Sequence, residues 1–251
     1  MAKLTDVKGK WALITGANRG LGLRAARFMA QHGCNLVLHS RALAHTAEIE
    51  KEVKAMGVEA YSVAAELSDL AQVEKMIEEI NAKGTQIDIL LNNAAVQIAY
   101  RTDYYKTPAE DYSKSFVINT IAPMMLCYEF IPKMIERGFG RVVNTTSGIR
   151  NEPEQAGYSA SKAALDKVTS DLAEKLDGTD VIISLTDPGW CRTDLGGPNA
   201  PNDPDSVIPG VVTGVFVNDQ KSGRIFRAQD FAGLSIEQAV EKAKDLEQLF
   251  R

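Results

Sequence analysis

Tyr158 and Lys162 stand four positions apart at the start of a stretch whose pattern predicts a helix running on towards Lys175. Residues four apart share one face of an α-helix. A phenol and an ammonium on one face suit a single task, which is to make a tyrosine exchange its proton near neutral pH. A free tyrosine titrates at about 10, so about 4 kcal/mol must come from its surroundings. An ammonium about 5 Å away, at an effective dielectric of about 20, supplies about 3 kcal/mol of that. Of the 7 tyrosines in the chain, only Tyr158 has a lysine four residues on. Chance alone often produces such a pair, so the elements around it must decide.

Those elements begin with Trp11 to Thr15, a short apolar run that reads as a buried strand, followed by Gly16-Ala17-Asn18-Arg19-Gly20-Leu21-Gly22 and a helical pattern through Ala25, Phe28 and Met29. Glycines at 16, 20 and 22 permit a tight strand-to-helix turn and let backbone approach a pyrophosphate at the helix N-terminus. A second strand, Asn35 to His39, ends in Ser40 and Arg41. A site for NAD wants a carboxylate at that point, to accept from the ribose 2′-hydroxyl. Here a hydroxyl and a guanidinium stand instead, with Arg19 in reach from the turn, and these groups suit a 2′-phosphate. The preference is therefore NADP(H).

A helix over 43–56, a strand near Glu59 to Val63, a helix over 69–83 and a strand at Ile87 to Leu91 continue the alternation. Glu66 and Leu67 end the third strand, where a carboxylate and a backbone amide could meet an adenine. Asn92, Asn93, Ala94 and Ala95 follow the fourth, small enough for close packing against a cofactor. One long helical stretch over Glu110 to Glu136 contains Asn119 and Pro123. Asn119 sits among apolar neighbours and is expected to be buried with partners, either as a residue that holds water or as a satisfied core amide. Gly140 to Ser147 delivers Ser147 to the same sheet edge. Val181 to Leu185 is a sixth strand, left through Asp187 to Thr193, and Gly223 to Phe226 a seventh. Strands and helices in this rhythm mean one α/β domain, a doubly wound parallel sheet with helices on both faces. Ligands of such sheets bind outside the carboxyl ends of the strands, where all these motifs fall.

Composition sets the limits. The 251 residues suffice for one large domain, and 45% hydrophobic with 24% charged residues is ordinary for a globular protein. A net charge of −5 argues against nucleic-acid and acidic-membrane partners. No run is expected to reach the ~18 apolar residues of a membrane span, and no signal-peptide core precedes Trp11. Cys34, Cys127 and Cys191 match neither a zinc pattern nor a disulfide framework, so no metal and a cytoplasmic location are expected. His32, His39 and His45 cluster at one βα junction without metal spacing and are expected at the surface. Gly196 to Pro204 is rich in Pro, Gly and Asn and reads as a mobile loop. With the stretch after it, it would form a substrate lid over 196–215. Gln97 to Tyr100, Ile149 to Glu152 and Trp190 are expected to shape the pocket.

Over about residues 8–230 the chain resembles the short-chain dehydrogenase/reductase family. The resemblance rests on the Thr15 to Gly22 turn, Asn92-Asn93-Ala94, Asn119, Ser147, Tyr158 with Lys162, and Pro188-Gly189 with Thr193. It implies a single Rossmann-type domain carrying a tetrad of Asn119, Ser147, Tyr158 and Lys162. Tyr158 would be the general acid or base, and Ser147 would bond the substrate oxygen. Lys162 would hold the nicotinamide ribose and lower the tyrosine pKa, and Asn119 would hold a water. Thr193 and the backbone near Trp190 would meet the carboxamide. The chain departs from the family pattern at Glu66, where Asp is usual, and at Ala95, where Gly is usual. The segment 148–156 is also two residues shorter than is common.

The expected activity is NADPH-dependent reduction of a small carbonyl compound to an alcohol, by a homodimer or homotetramer. One alternative is a 3-oxoacyl-carrier-protein reductase, which would need a basic patch for an acidic carrier. Asp177 to Asp180 counts against it, and Arg137 and Arg141 keep it open. A non-catalytic NADP(H)-binding sensor is the other, although such a protein would be free to lose the tetrad. Ser235 to Phe250 reads as an amphipathic helix capped by Ser235, with Ile236, Ala239, Val240, Ala243 and Leu246 on one face. It is expected to pack on its own domain, with a subunit contact as the alternative.

Overall fold

The computed structural model describes residues 4–149 and 151–248. Strands alternate with helices from the first element: β1 (Trp11–Ile14), α1 (Gly20–Gln31), β2 (Asn35–Ser40), α2 (Ala47–Ala55), β3 (Ala60–Ala64), α3 (Leu70–Ala82) and β4 (Ile87–Asn92). There follow α4 (Ala109–Phe116), a π-helical turn (Val117–Ile121), α5 (Ala122–Arg137), β5 (Gly140–Thr145), α6 (Ala156–Glu174), β6 (Val181–Asp187), α7 (Ile208–Phe216), β7 (Arg224–Arg227) and α8 (Ile236–Ala243). The seven strands form one sheet in the order β3-β2-β1-β4-β5-β6-β7, with every pairing parallel. The order reverses between β1 and β4, so the crevice of a doubly wound sheet opens there.

Two apolar cores sandwich the sheet, and successive residues of each strand serve opposite ones. Leu13, Val37, Leu90, Val142 and Ile183 face a core with Val73, Phe130 and Leu165 of α3, α5 and α6. Ala12, Ile14, Leu36, Leu38, Val143 and Ile182 face the other, with Met29, Val212 and Val240 of α1, α7 and α8. Each fully buried aliphatic side chain contributes about 1.5–3 kcal/mol, which holds the strand ends in fixed register. Helix starts follow local rules: Asp69 accepts from the Ala71 amide to cap α3, and Ser235 and Gln238 form a reciprocal capping box on α8.

Several expectations change here. The 29-residue helical run Ala109–Arg137 does reach the length and mean hydropathy, 1.2, of a membrane span. Its most apolar window is 61% buried inside the domain, the mark of a core helix. The expected lid over 196–215 is divided, because α7 is a core helix whose Val211, Val212, Val215 and Phe216 pack under the sheet. The loop that leaves β6 meets the turn after β1 through Thr193 and Asp194. The C-terminal helix stops at Ala243, and its Ile236, Ala239, Val240 and Ala243 are buried on the chain's own core. Leu249 and Phe250 of the expected helix lie outside the described residues.

Candidate functional site

The turn between β1 and α1 closes tightly because three side chains are missing from it. Gly16 has φ +67° and already lies where a Cβ would be 3.1 Å from the Ala94 backbone. At Gly22 a Cβ would fall 2.2 Å from the Gly16 carbonyl, so no other residue fits. The first turn of α1 carries no acidic residue, which leaves its positive end open to an anion. Asn18, Arg19 and Leu21 lie on this turn. Thr15 braces its floor: the hydroxyl accepts from the Asn93 and Ala94 amides at 3.0 Å each, and Asn93 Nδ2 donates to the Thr15 carbonyl at 3.0 Å. This is a cradle that a dinucleotide's pyrophosphate would fit.

At the end of β2, the buried Ser40 hydroxyl donates to the Ala42 carbonyl at 2.7 Å and shapes the turn that presents the exposed Arg41. Among the described residues Arg41 has no ion-pair partner, whereas Arg19 is held by Asp194 at 2.9 Å from the loop after β6. Glu66 folds back on its own turn, accepting from the Ser68 amide at 3.3 Å, and Leu67 is buried. Pro188, Gly189, Trp190 and Thr193 form the loop leaving β6. Its Thr193 side chain lies 3.6 Å from where a Cβ on Gly20 would be, so loop and turn face each other. Trp190 is exposed, and its indole donates to the Gly196 carbonyl at 2.6 Å.

Tyr158 opens α6 from a position only 6% exposed, with the Ser147 hydroxyl in hydrogen-bonding reach. Burial lifts the phenol above its ordinary range; Ser147 pulls it back and the nearby Asp187 carboxylate pushes it further up. Lys162, one turn on and 2% exposed, donates to the Thr145 carbonyl at 2.6 Å. Burial brings its ammonium down to about 8, against the Asp166 carboxylate. The expected effect of the lysine on the tyrosine is not among the causes that shift the phenol: its Nζ is hydrogen-bonded to the Thr145 carbonyl, and the charge that bears on the phenol is that of Asp187. Asp166 is itself lifted to about 6 by burial, against the Thr146 hydroxyl and the Lys162 ammonium.

Asn119 is fully buried in the π-helical turn. Its Oδ1 accepts from the Val96 amide at 2.9 Å, and its Nδ2 donates to the Val96 carbonyl at 2.9 Å and to Ser161 Oγ at 3.0 Å. The side chain clamps the loop after β4 to α6 and has both its protons committed. Beneath it, Asn92 donates to Asn144 at 2.8 Å and Asn144 to Thr169 at 2.8 Å, a buried amide chain from β4 to α6.

A cavity of about 400 Å³ opens beside Ser147, lined also by Ile149, Asp166, Asp187, Ile225 and Arg227. Of the residues expected to shape a pocket, only Ile149 borders it. Gln97 is hydrogen-bonded to Gln155, which zips the two neighbouring loops together, and Arg150 lies outside the described residues. No motif in the sequence marks Asp166, Asp187 or Asp194, which the structure brings to this end of the sheet. His39 is the other surprise. Expected at the surface, it is buried, because both faces of a central parallel strand are covered.

The sequence profile of the family described as short chain dehydrogenase matches residues 10–203. A ketoacyl reductase, HetN, of Nostoc sp. is 34% identical over 189 residues, covering 74% of this chain and 65% of its own length. A metagenomic short-chain oxidoreductase solved with NADP superposes with a TM-score of 0.75 at 30% identity, covering 87% of this chain and 95% of its own. A 3-oxoacyl (acyl-carrier-protein) reductase from Agrobacterium tumefaciens with NADP bound gives 0.70 at 29% identity, covering 75% and 72%.

Proposed function

The chain belongs to the short chain dehydrogenase family, and we propose that it reduces a ketone or aldehyde to an alcohol with NADPH, Tyr158 supplying the proton. One observation carries this reading: a buried phenol that keeps its proton, beside the Ser147 hydroxyl, at the sheet end that also holds the glycine turn. A phenol held above its ordinary range gives a proton up only to a stronger base, such as an alkoxide forming from a carbonyl. Ser147 Oγ steadies that oxygen as its charge develops. Lys162 Nζ, which donates to the Thr145 carbonyl, would also donate to the nicotinamide ribose. Asn119 Nδ2 gives both its protons to Val96 and Ser161, so it holds the loop after β4 in place beside Tyr158 and has no proton to spare for a relay water.

When bound, the nicotinamide supplies the hydride. Gly16, Gly20 and Gly22 with the start of α1 would hold the pyrophosphate, Asn18 and Leu21 lying on the same turn. Asn93 and Ala94 would form the floor, and Glu66 and Leu67 the adenine wall. Pro188, Gly189, Trp190 and Thr193 would meet the carboxamide. Arg41, joined by Arg19 once it leaves Asp194, would hold a 2′-phosphate on the turn that Ser40 shapes. The NADP carried by two similar structures supports that cofactor.

A 3-oxoacyl thioester is the second reading, supported by what two of the similar proteins are named for. The two arginines that kept it open weaken it. Arg141 is 0% exposed against Asp180, and Arg137 is turned to the Ile87 carbonyl and Asp88. Both are engaged within the domain, which counts against their meeting an acidic carrier. Ile121, Tyr128 and Ile135 recur every seven residues along the outer face of the long helical run and are all exposed, which supports a homodimer or homotetramer through that face. Three buried, unpaired cysteines are consistent with a reducing cytoplasm.

The test is cofactor oxidation with NADPH and with NADH across ketones, aldehydes, diketones and 3-oxoacyl thioesters. Turnover of simple carbonyls with NADPH supports the reductase, and turnover of thioesters alone supports the second reading. Tight NADPH binding with no turnover of any carbonyl would count against both.

A further inference from the structure

The His39 imidazole lies 2% exposed at the end of β2, and both its nitrogens are engaged. Gly16 donates its amide to Nδ1 at 3.3 Å, and Nε2 faces the Ala65 carbonyl at 3.0 Å. A main-chain amide can only donate and a carbonyl can only accept. The two neighbours therefore admit one form of the ring, neutral with its proton on Nε2. An imidazolium would set a second N–H against the Gly16 amide. Burial enforces the same choice by bringing the ring down to about 4, with Glu66 the charged group beside it.

One ring thus ties three strand ends together: Gly16 after β1, His39 on β2 and Ala65 after β3. The His39 carbonyl adds a further tie, accepting from the Ala17 amide at 2.9 Å. On its other side Gly16 is confined by Ala94 and Asn93, each within 3.3 Å of a Cβ placed there. The Gly16 peptide is pinned between the imidazole and the loop after β4, and that fixes where the amides following it point.

We propose that His39 is a positioning residue of the nucleotide turn, its neutral ring orienting Gly16 so that the turn and the start of α1 present their amides to the pyrophosphate of the cofactor. The inference rests on the reading of this turn as a dinucleotide cradle. The pyrophosphate is common to both nicotinamide cofactors, so His39 acts on NADPH and NADH alike. Arg41, by contrast, acts on the 2′-phosphate alone.

His39→Gln keeps one acceptor and one donor, His39→Leu keeps bulk and loses both, and the shorter His39→Asn reaches one partner at most. Dissociation constants for NADPH and NADH, read by quenching of protein fluorescence, are compared with the melting temperature of each free protein. His39→Leu should weaken both cofactors about tenfold, as expected for one neutral hydrogen bond. His39→Asn should fall between it and the wild type, and His39→Gln should stay within about threefold of the wild type. Arg41→Asp should weaken NADPH only. Wild-type affinity in His39→Leu and His39→Asn would overturn the inference, as would a glutamine variant no better than asparagine or leucine. If the wild type bound neither nucleotide, the cradle reading itself would fall, and the role of His39 with it.

Discussion

At the N-terminal end of the sheet, Arg141 and Arg224 are 0% exposed, yet each is held by a carboxylate and by main-chain carbonyls, although Arg224 Nε is buried without a partner among the described residues. Arg141 bonds the Gly140, Asp180 and Val217 carbonyls and the Asp180 carboxylate, and Arg224 makes two bonds of 2.7 Å to Asp219 and a third to the Ala243 carbonyl. At the C-terminal end Tyr158, Lys162 and Asp187 are buried and Asp166 is half-buried, and there the charges are poorly matched. Lys162 has one carbonyl and a distant carboxylate, while Asp187 bears on a phenol that it discourages from ionising. Both ends bury charge in the same fold. One end neutralises it locally and gains rigidity. The other leaves proton affinities displaced, the condition in which groups do proton chemistry near neutral pH.

Substitutions at the two ends should therefore differ in kind. Lys162→Met should lower turnover about 10²–10³-fold through lost positioning and proton transfer. The same change should raise stability. Its ammonium titrates at about 8 when folded and higher when unfolded, so folding carries a penalty that is full below pH 8 and fades as pH rises past it. Calorimetry at pH 7 should show a gain of up to about 3 kcal/mol. Arg224→Met should do the reverse, costing about 3 kcal/mol in urea unfolding with turnover per folded molecule unchanged. A catalytic defect in Arg224→Met without loss of stability would break the contrast.

Two smaller effects sharpen it. Asp166 holds its proton up to about pH 6 in the folded state, above the ordinary carboxylate value. The native state is therefore favoured at low pH, and that advantage is lost as pH rises through 6. Asp166→Asn should gain about 2 kcal/mol at pH 8 and little at pH 4, by denaturation at the two pH values. Asp187→Asn removes the negative charge beside the phenol and makes the phenolate easier to form. The pH at which alcohol oxidation reaches half its maximum should fall by about one unit, and an unmoved profile would mean that Asp187 does not act on Tyr158.

The strand-and-helix rhythm was legible because a buried parallel strand is a short apolar run between glycine or polar boundaries, and the seventh strand was found on that rule. The glycine turn was legible because Gly16 and Gly22 answer to space, and space follows from the turn that sequence implies. Asn119 was expected buried with partners and is. His39 and Arg141 were misread for one reason: both sit in strands covered on each face, where no alternation marks which side chain points inward. The surroundings of Lys162 and Tyr158 were hidden for a different reason. Spacing puts two groups on one helix face but does not say that a carbonyl on β5 will take the ammonium, nor that an aspartate ending β6 will face the phenol. The π-helical turn inside the long helix left no mark in the sequence beyond Asn119 and Pro123.

The central claim is that Tyr158 delivers the proton. Single-turnover oxidation of bound NADPH by a carbonyl accepted by the wild type tests it most directly, comparing the wild type with Tyr158→Phe at saturating cofactor. The account predicts a rate lower by about 10²–10⁴-fold, with the NADPH dissociation constant within about threefold of the wild type. A phenylalanine variant that binds NADPH normally and turns over at a wild-type rate would contradict it.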